Sequence, residues 1–266
     1  MYFARAQYVF TDNSVGPMSI GVTCGAVSSD RRLYDDPTIV DLLQGCGVTW
    51  GAYMGGYAHM VQAVAGGSCP APETGCPANW HYYPCIDDPS DHPFEYYRSV
   101  HDNPSTSKDV DQFAQDLAAG TLPQVSFVQF IGFQSEHPGY GDRISDGVTA
   151  VGALVDAVAA SSYANDTLIV LTYDESGGYF DHVSPPPTSP VDCQPYGARV
   201  PMLAIGPFAR QNFISHVTLE HSSIVKFIEW NWLGAQTGQL GGRDAVVSNI
   251  GSLLDPAMTG TPVPAQ

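Results

Sequence analysis

The stretch "DTLIVLTYDE", residues 166–175, constrains the fold more than any other part of the chain. Its apolar residues fall on both faces of an extended segment, which predicts a central, parallel strand covered on two sides. It ends on two adjacent carboxylates, Asp174 and Glu175, and runs on into "SGGYFDHVSPPP". Adjacent acids repel unless a cation or a proton lies between them. Ligands of open parallel sheets bind beyond the carboxyl ends of the strands. Asp174 and Glu175 are therefore candidate metal ligands, since carboxylate oxygens suit hard and borderline divalent ions.

The rest of the chain supplies the layers around such a strand. "DPTIVDLLQGCGVTWGAYM" (36–54) predicts a helix and then a strand. Ile39, Leu42, Leu43 and Cys46 follow helical spacing, Thr38 and Asp41 form a capping-box pattern, and Gly45 and Gly47 can end the helix. Residues 105–120 predict a second helix with Val110, Phe113 and Leu117 on one face, and 124–130 a strand. Residues 145–161 predict a third helix with Val148, Val151, Val155 and Val158 in line. A strand over 198–207 and a helix over 222–234, with Ile224, Phe227, Ile228 and Trp232 inward, complete the set. Alternating strands and helices imply an α/β fold, a mostly parallel central sheet with helices on both faces. A single domain is expected over 1–252, interrupted by a loop-rich insertion at 64–106 and followed by a loose tail at 253–266.

Charge narrows the partners. Ten Lys and Arg against 27 Asp and Glu give a formal net charge of −17. That balance excludes nucleic acid as a general partner. No apolar run reaches the roughly 20 residues of a membrane span, so stable insertion is not expected. The six cysteines contain no C-x-x-C; their even number suits up to three disulfides and a secreted or periplasmic protein. Three of them lie in the Pro- and Gly-rich insertion, where a disulfide within 69–85 is expected. The opening "MYFARAQYVFTDN" lacks a signal-peptide pattern, which fits a chain whose natural N-terminus is missing.

Acids and imidazoles recur beside the expected strand ends. "SEHPGYGD" (135–142) brings His137 to the end of the 124–130 strand. His182 follows the Asp174–Glu175 pair, and His221 precedes a helix whose first N–H groups favour an anion. His137, His182 and His221 are thus expected at one sheet edge with Asp174 and Glu175. His59, His81, His92 and His101, in or near the insertion, read as structural or surface groups. The chain has no H-E-x-x-H, G-x-S-x-G, G-x-G-x-x-G or P-loop, which removes the zincin, lipase-elbow and nucleotide-binding readings.

Together these segments resemble the phosphoesterase family of phospholipase C-type enzymes and acid phosphatases, within the alkaline-phosphatase-like group. The resemblance rests on "LTYDESGGYFDHVSPPP", "LPQVSFVQFIGFQSEHPGYGD" and "GARVPMLAIGPFARQNFISHVTLEHSSIVKFIEWNW", and covers about residues 1–235. It implies a hydrolase of phosphate esters that uses a divalent metal held by Asp174 and Glu175, with His137, His182 and His221 on phosphate or metal. A hydroxyl nucleophile attacks phosphorus in this family. The family's leading Glu-Asn-x-Ser-Phe-Asp segment has no counterpart here. Met18 stands directly after Gly-Pro, where the family carries its nucleophile, and Ser19 is the nearest hydroxyl. The expected activity is therefore weak or absent. The alternative is a non-catalytic relic or secreted binding module of the same fold; an oligomeric state does not follow from the sequence.

Overall fold

The computed structural model describes residues 1–10, 14–25, 30–141 and 143–266. Asp12, Asn13 and Asp142, which belong to two of the segments quoted above, lie outside the described residues. In chain order the elements are α1 (Tyr2–Arg5), β1 (Val15–Pro17), β2 (Asp30–Arg32), α2 (Ile39–Gly45), β3 (Trp50–Met54), α3 (Tyr57–Ala65), β4 (Ser107–Asp109), α4 (Val110–Ala119), β5 (Val125–Gln129), α5 (Ile144–Ala159), β6 (Ile169–Thr172), β7 (Met202–Ile205) and α6 (His221–Trp232). Among the described residues the fold is α/β, and three of its four strand pairings are parallel. The chain divides into two compact units, residues 10–157 and residues 1–9 with 158–266.

In the 10–157 unit, β3 is the middle of a parallel sheet of order β4-β3-β5. All five of its residues are buried. The Tyr53 hydroxyl donates to Asp116 Oδ2 at 2.8 Å while its ring meets Phe113 edge-on. Trp50 packs on Phe94, which in turn meets Phe127 of β5. The capping box of α2 is formed: Thr38 N–H and hydroxyl both reach Asp41 Oδ2 at 2.7 Å. Gly47 follows with φ +73, a left-handed turn that glycine adopts without strain. The helix expected from residue 105 begins only at Val110, because Ser107–Asp109 form β4 beside β3 and Asp109 caps the helix through Asp111 N–H. In α5, Val148 is 58% exposed whereas Val158 is buried. At 100° per residue the four valines stay within about 80° of one another, so they share one stripe, and Val151 and Val155 between them are half-buried.

The insertion is held by two disulfides, Cys24–Cys69 and Cys76–Cys85. The second is the expected bridge within 69–85; Cys46 and Cys193 are free and exposed, so two bridges form where the count allowed three.

In the other unit the strand taken as central and parallel is neither. Among the described residues β6 pairs with β7 alone, antiparallel, with Ile169 opposite Ile205 and Thr172 opposite Met202. Its residues are half-buried, so apolar content on both faces did not require a partner strand on each side. The expected tail folds back: Gly251 N–H donates to Pro264 C=O and Asp255 N–H to Phe208 C=O.

α6 keeps Ile228 buried as expected, but the rest of its inward face differs from the expected one. Ser222, Val225, Lys226 and Glu229 are buried, while Ile224, Phe227 and Trp232 are half-buried. Two charged groups turn inward because partners meet them there. Lys226 Nζ donates to Val247 C=O at 2.7 Å. Glu229 accepts from Gly238 and Gln239 N–H at 2.8 and 3.0 Å and is hydrogen-bonded to Asp244, which itself accepts from Leu240 and Gly242 N–H. Burial, reinforced by the Asp244 charge, pushes the Glu229 carboxyl up to about 7. The folded state then keeps a proton that the unfolded chain releases near its ordinary value of about 4.3. Stability from this group is full below that value and is lost as pH rises towards 7. The thermal midpoint of the wild type should fall between pH 5 and 7, and Glu229→Gln should flatten that fall, as read by calorimetry across the range.

Candidate functional site

Asp174 and Glu175 do sit at the carboxyl end of β6, separated from Thr172 by Tyr173 alone. Both are exposed, and a turn sets their direction: Glu175 N–H donates to Asp174 Oδ1 at 2.9 Å and Gly177 N–H to Glu175 Oε2 at 2.6 Å. His221, the first residue of α6, comes to the same strand end. Its Nε2–H donates to Tyr173 C=O at 2.9 Å, and Phe3 lies 4.3 Å from its ring. A carbonyl only accepts, so the proton is on Nε2 and Nδ1 remains an acceptor in the neutral ring. Burial lowers the His221 pKa and favours that neutral form.

Asp181 is locked by a fork from Arg199, with Nε and Nη2 each at 2.8 Å, and by the Val183 and Arg199 N–H groups. These donors hold its carboxyl well below the usual carboxylate range. His182 beside it is outward: its side chain is 83% exposed and its Nδ1 is 3.9 Å from Asp181. The structure thus brings His221 to the backbone of the Asp174 turn and leaves His182 at the rim of the next loop.

Behind His221 stands a buried charge cluster. Arg243 forks onto Asp192 at 2.8 and 2.9 Å, reaches Glu220 Oε2 at 3.2 Å, and lies between the rings of Tyr2 and Tyr196 at 4.4 and 4.5 Å. Burial opposes ionisation of Asp192, but the bonds from Arg243 outweigh it and hold Asp192 at about 2. Glu220 immediately precedes α6, so this cluster fixes the backbone that carries His221.

Ser19 and His137 belong to the 10–157 unit, and His137 follows β5, a strand of a different sheet from β6. The expectation of one sheet edge for all the candidates therefore fails at the level of topology: an α/β alternation does not oblige every strand to join one sheet. His137 Nδ1–H donates to Pro138 C=O at 2.8 Å, and the ring tilts against Tyr140. Ser19 is buried and its hydroxyl has no partner among the described residues, while Met18 is 57% exposed. The next residue explains the pinning: Ile20 N–H donates to Asp102 Oδ1 at 2.8 Å.

The carboxyl ends of β3 and β5 carry groups that the sequence reading assigned to structure or surface. Gly55, Ile131 and Gly132 border a small cavity of about 10 Å³ together with Asp87 and His92. A side chain at residue 55 would collide with the Ile131 backbone, so glycine is needed where these loops touch. His92 Nε2 meets Asp87 Oδ1 at 2.8 Å, with both residues buried. Burial alone would favour a neutral ring; Asp87, with Glu95 and Asp91 near, outweighs it and raises the His92 pKa to about 9. Close by in sequence, Glu95, His101 and Asp102 offer three ligand atoms within 4.8 Å of one another. Glu95 there accepts from Ser107 Oγ and Asp102 N–H, both at 2.8 Å. The density of Asp and His in "DDPSDHPFEYYRSVHDN" (87–103) is the only signal that pointed to these groups.

These features define a class: an α/β protein whose strand ends present carboxylates and imidazoles in oxygen- and nitrogen-ligand sets. A family model described as the phosphoesterase family matches residues 25–233, and the chain belongs to that family. It is similar to phospholipase C B of Mycobacterium tuberculosis, 31% identical over 54% of this chain and 31% of that protein. It is similar to the non-hemolytic phospholipase C of Burkholderia pseudomallei, 27% identical over 86% of this chain and 35% of that protein. The non-hemolytic phospholipase C of Pseudomonas aeruginosa is 29% identical over 56% of this chain and 27% of its own length. The chain spans about a third of the length of the curated relatives it matches.

Proposed function

We propose that the chain is a metal-dependent hydrolase of phosphate esters, of the phospholipase C or acid phosphatase type. The observation that carries this reading is the family match over residues 25–233, which encloses the Asp174–Glu175 turn and His221 at one strand end. The donor set fits a hard divalent ion. Both carboxylates are exposed at adjacent positions, and turn bonds orient them. Asp174 and Glu175 would hold the ion, which supplies charge neutralisation for a phosphoryl group when bound. His221 offers Nδ1 from a ring fixed by Tyr173, and His137 and His182 are the further candidates for phosphate contact. Ser19 is the nearest hydroxyl to the family's nucleophile position. Location outside the cytosol, secreted or periplasmic, is supported by the two disulfides. No described helix is long and apolar enough to cross a membrane.

One observation favours a second reading, a non-catalytic binding module: Met18 is exposed where a nucleophile is expected, and Ser19 is turned inward. Two measurements separate the readings. Calorimetric titration of the chelator-treated chain with Mn²⁺ is expected to show binding that Asp174→Ala and Glu175→Ala weaken at least about 10-fold, about 1.4 kcal/mol. Turnover of a chromogenic phosphate mono- or diester that depends on the added metal and drops at least about 100-fold in Asp174→Ala supports the hydrolase. Metal binding without turnover supports the module, and metal binding unchanged in both variants removes Asp174 and Glu175 as ligands.

A further inference from the structure

We propose that a proton shared by Glu229 and Asp244 is a latch: with it the 238–242 loop closes over α6 and keeps Arg243 on Asp192 and Glu220, and without it the loop opens. Both carboxyls are fully buried. One short loop supplies their donors. Gly238 and Gln239 N–H go to Glu229, and Leu240 and Gly242 N–H go to Asp244, at 2.8–3.0 Å. Each of the four carboxyl oxygens therefore takes one N–H of the loop. An ionised carboxylate only accepts, so the bond between Glu229 and Asp244 needs a proton.

The loop reads "GQLGG", and Leu240 is the one large apolar side chain that its closure buries. Closure thus leans on the bonds to the two carboxyls. The other charged groups here have partners of their own. Arg243 turns to Asp192 and Glu220, Arg5 of α1 donates to Leu240 C=O, and Lys226 donates to Val247 C=O. The 250–253 turn brings no ionisable side chain. Burial first, and then the Asp244 charge, opposes ionisation of Glu229. An opened loop returns Glu229 to water, where it ionises near about 4.3. The closed loop keeps the proton up to about 7. Closure is therefore fully favoured below about 4.3 and weakens as pH rises to about 7. Arg243 follows the loop directly and bonds Glu220, the residue before His221, so opening loosens the start of α6. What that does to turnover rests on the reading of His221 given above; the latch itself does not.

Hydrogen exchange read by NMR, corrected for the intrinsic pH dependence of exchange, tests the latch without reference to activity. Protection of the Gly238, Gln239, Leu240 and Gly242 N–H groups and of Arg243 Nε–H is expected to fall at least about 10-fold from about pH 5 to about pH 7. The fall should be insensitive to low urea, the mark of a local opening that exposes little surface. Glu229→Gln can donate to Asp244 at every pH, so it should remove the pH dependence whatever its absolute protection. Asp244→Asn serves the same purpose if Glu229→Gln loses the dispersed spectrum of the folded chain. Protection that stays flat over this range, a fall that persists in the variant, or exchange as urea-dependent as that of β6 overturns the proposal. So does an Arg243 Nε–H that does not follow the loop.

Discussion

Arg243→Ala is expected to destabilise the chain by about 3–5 kcal/mol in urea unfolding, the range for removing one partner of a buried ion pair. The guanidinium is 3% exposed and so is its partner Asp192. Removing it leaves Asp192 and Glu220 as uncompensated buried charges, and it also removes the plate between Tyr2 and Tyr196. Four segments meet at this one side chain: the first helix, the loop at 192–196, the start of α6, and residue 243 itself, whose N–H donates to Ala6 C=O. Arg243→Lys should recover only part of the loss, because an ammonium cannot make the fork onto Asp192. Arg143→Ala, which removes an exposed pair with Asp146, should change stability by no more than about 0.5 kcal/mol. An Arg243→Ala effect as small as that of Arg143→Ala would show that the buried cluster contributes little net stability.

Loss of the Cys24–Cys69 bridge should cost about 4 kcal/mol, from the chain entropy that a 45-residue separation releases into the unfolded state. Loss of Cys76–Cys85, separated by 9, should cost about 2–3 kcal/mol on the same basis. Paired serine variants read by thermal unfolding test both values. The order matters more than the magnitudes: the longer loop should give the larger drop. The physical reason the bridges are needed lies in the 64–106 insertion, which holds three of the four bridged cysteines, is Pro- and Gly-rich and contributes few apolar side chains. Ile86, Phe94, Tyr96, Tyr97 and Val100 are its main buried anchors.

What could be read in the sequence was what local chemistry decides. Thr38 and Asp41 announced the start of α2, and Gly47 its end, because capping depends on neighbours in the chain. The apolar run of β5 and the periodicity of α4 were legible for the same reason. β4 was not: "SKD" has no apolar residue, and it is a strand only because β3 offers it hydrogen bonds. The partner of β6 was not legible either, since apolar content reports burial and not which strand lies alongside. Lys226 and Glu229 were not among the residues of α6 expected inward; their inward direction is set by Val247 C=O and by the N–H groups at 238 and 239, distant loops that no helical period encodes. At the candidate site, Asp174, Glu175 and His221 stood out because they follow or precede recognisable elements. The Asp87–His92 pair did not, because it is assembled by a loop with no period of its own.

The strand order β4-β3-β5 also sets a schedule. β3 is the central strand and buries every residue, yet its partners begin at Ser107 and Val125, more than 50 and 70 residues downstream. During synthesis it leaves the ribosome before either partner and has to wait for both. Loop-closure entropy has to be met before either ladder rewards it, so pairing of this kind is slow. Until then "WGAYM" is an apolar strand with two open edges. The 64–106 segment is what separates it from both partners. Its closure therefore governs how long the nascent chain stays exposed to misassociation, a matter of rate that the finished fold's stability does not report.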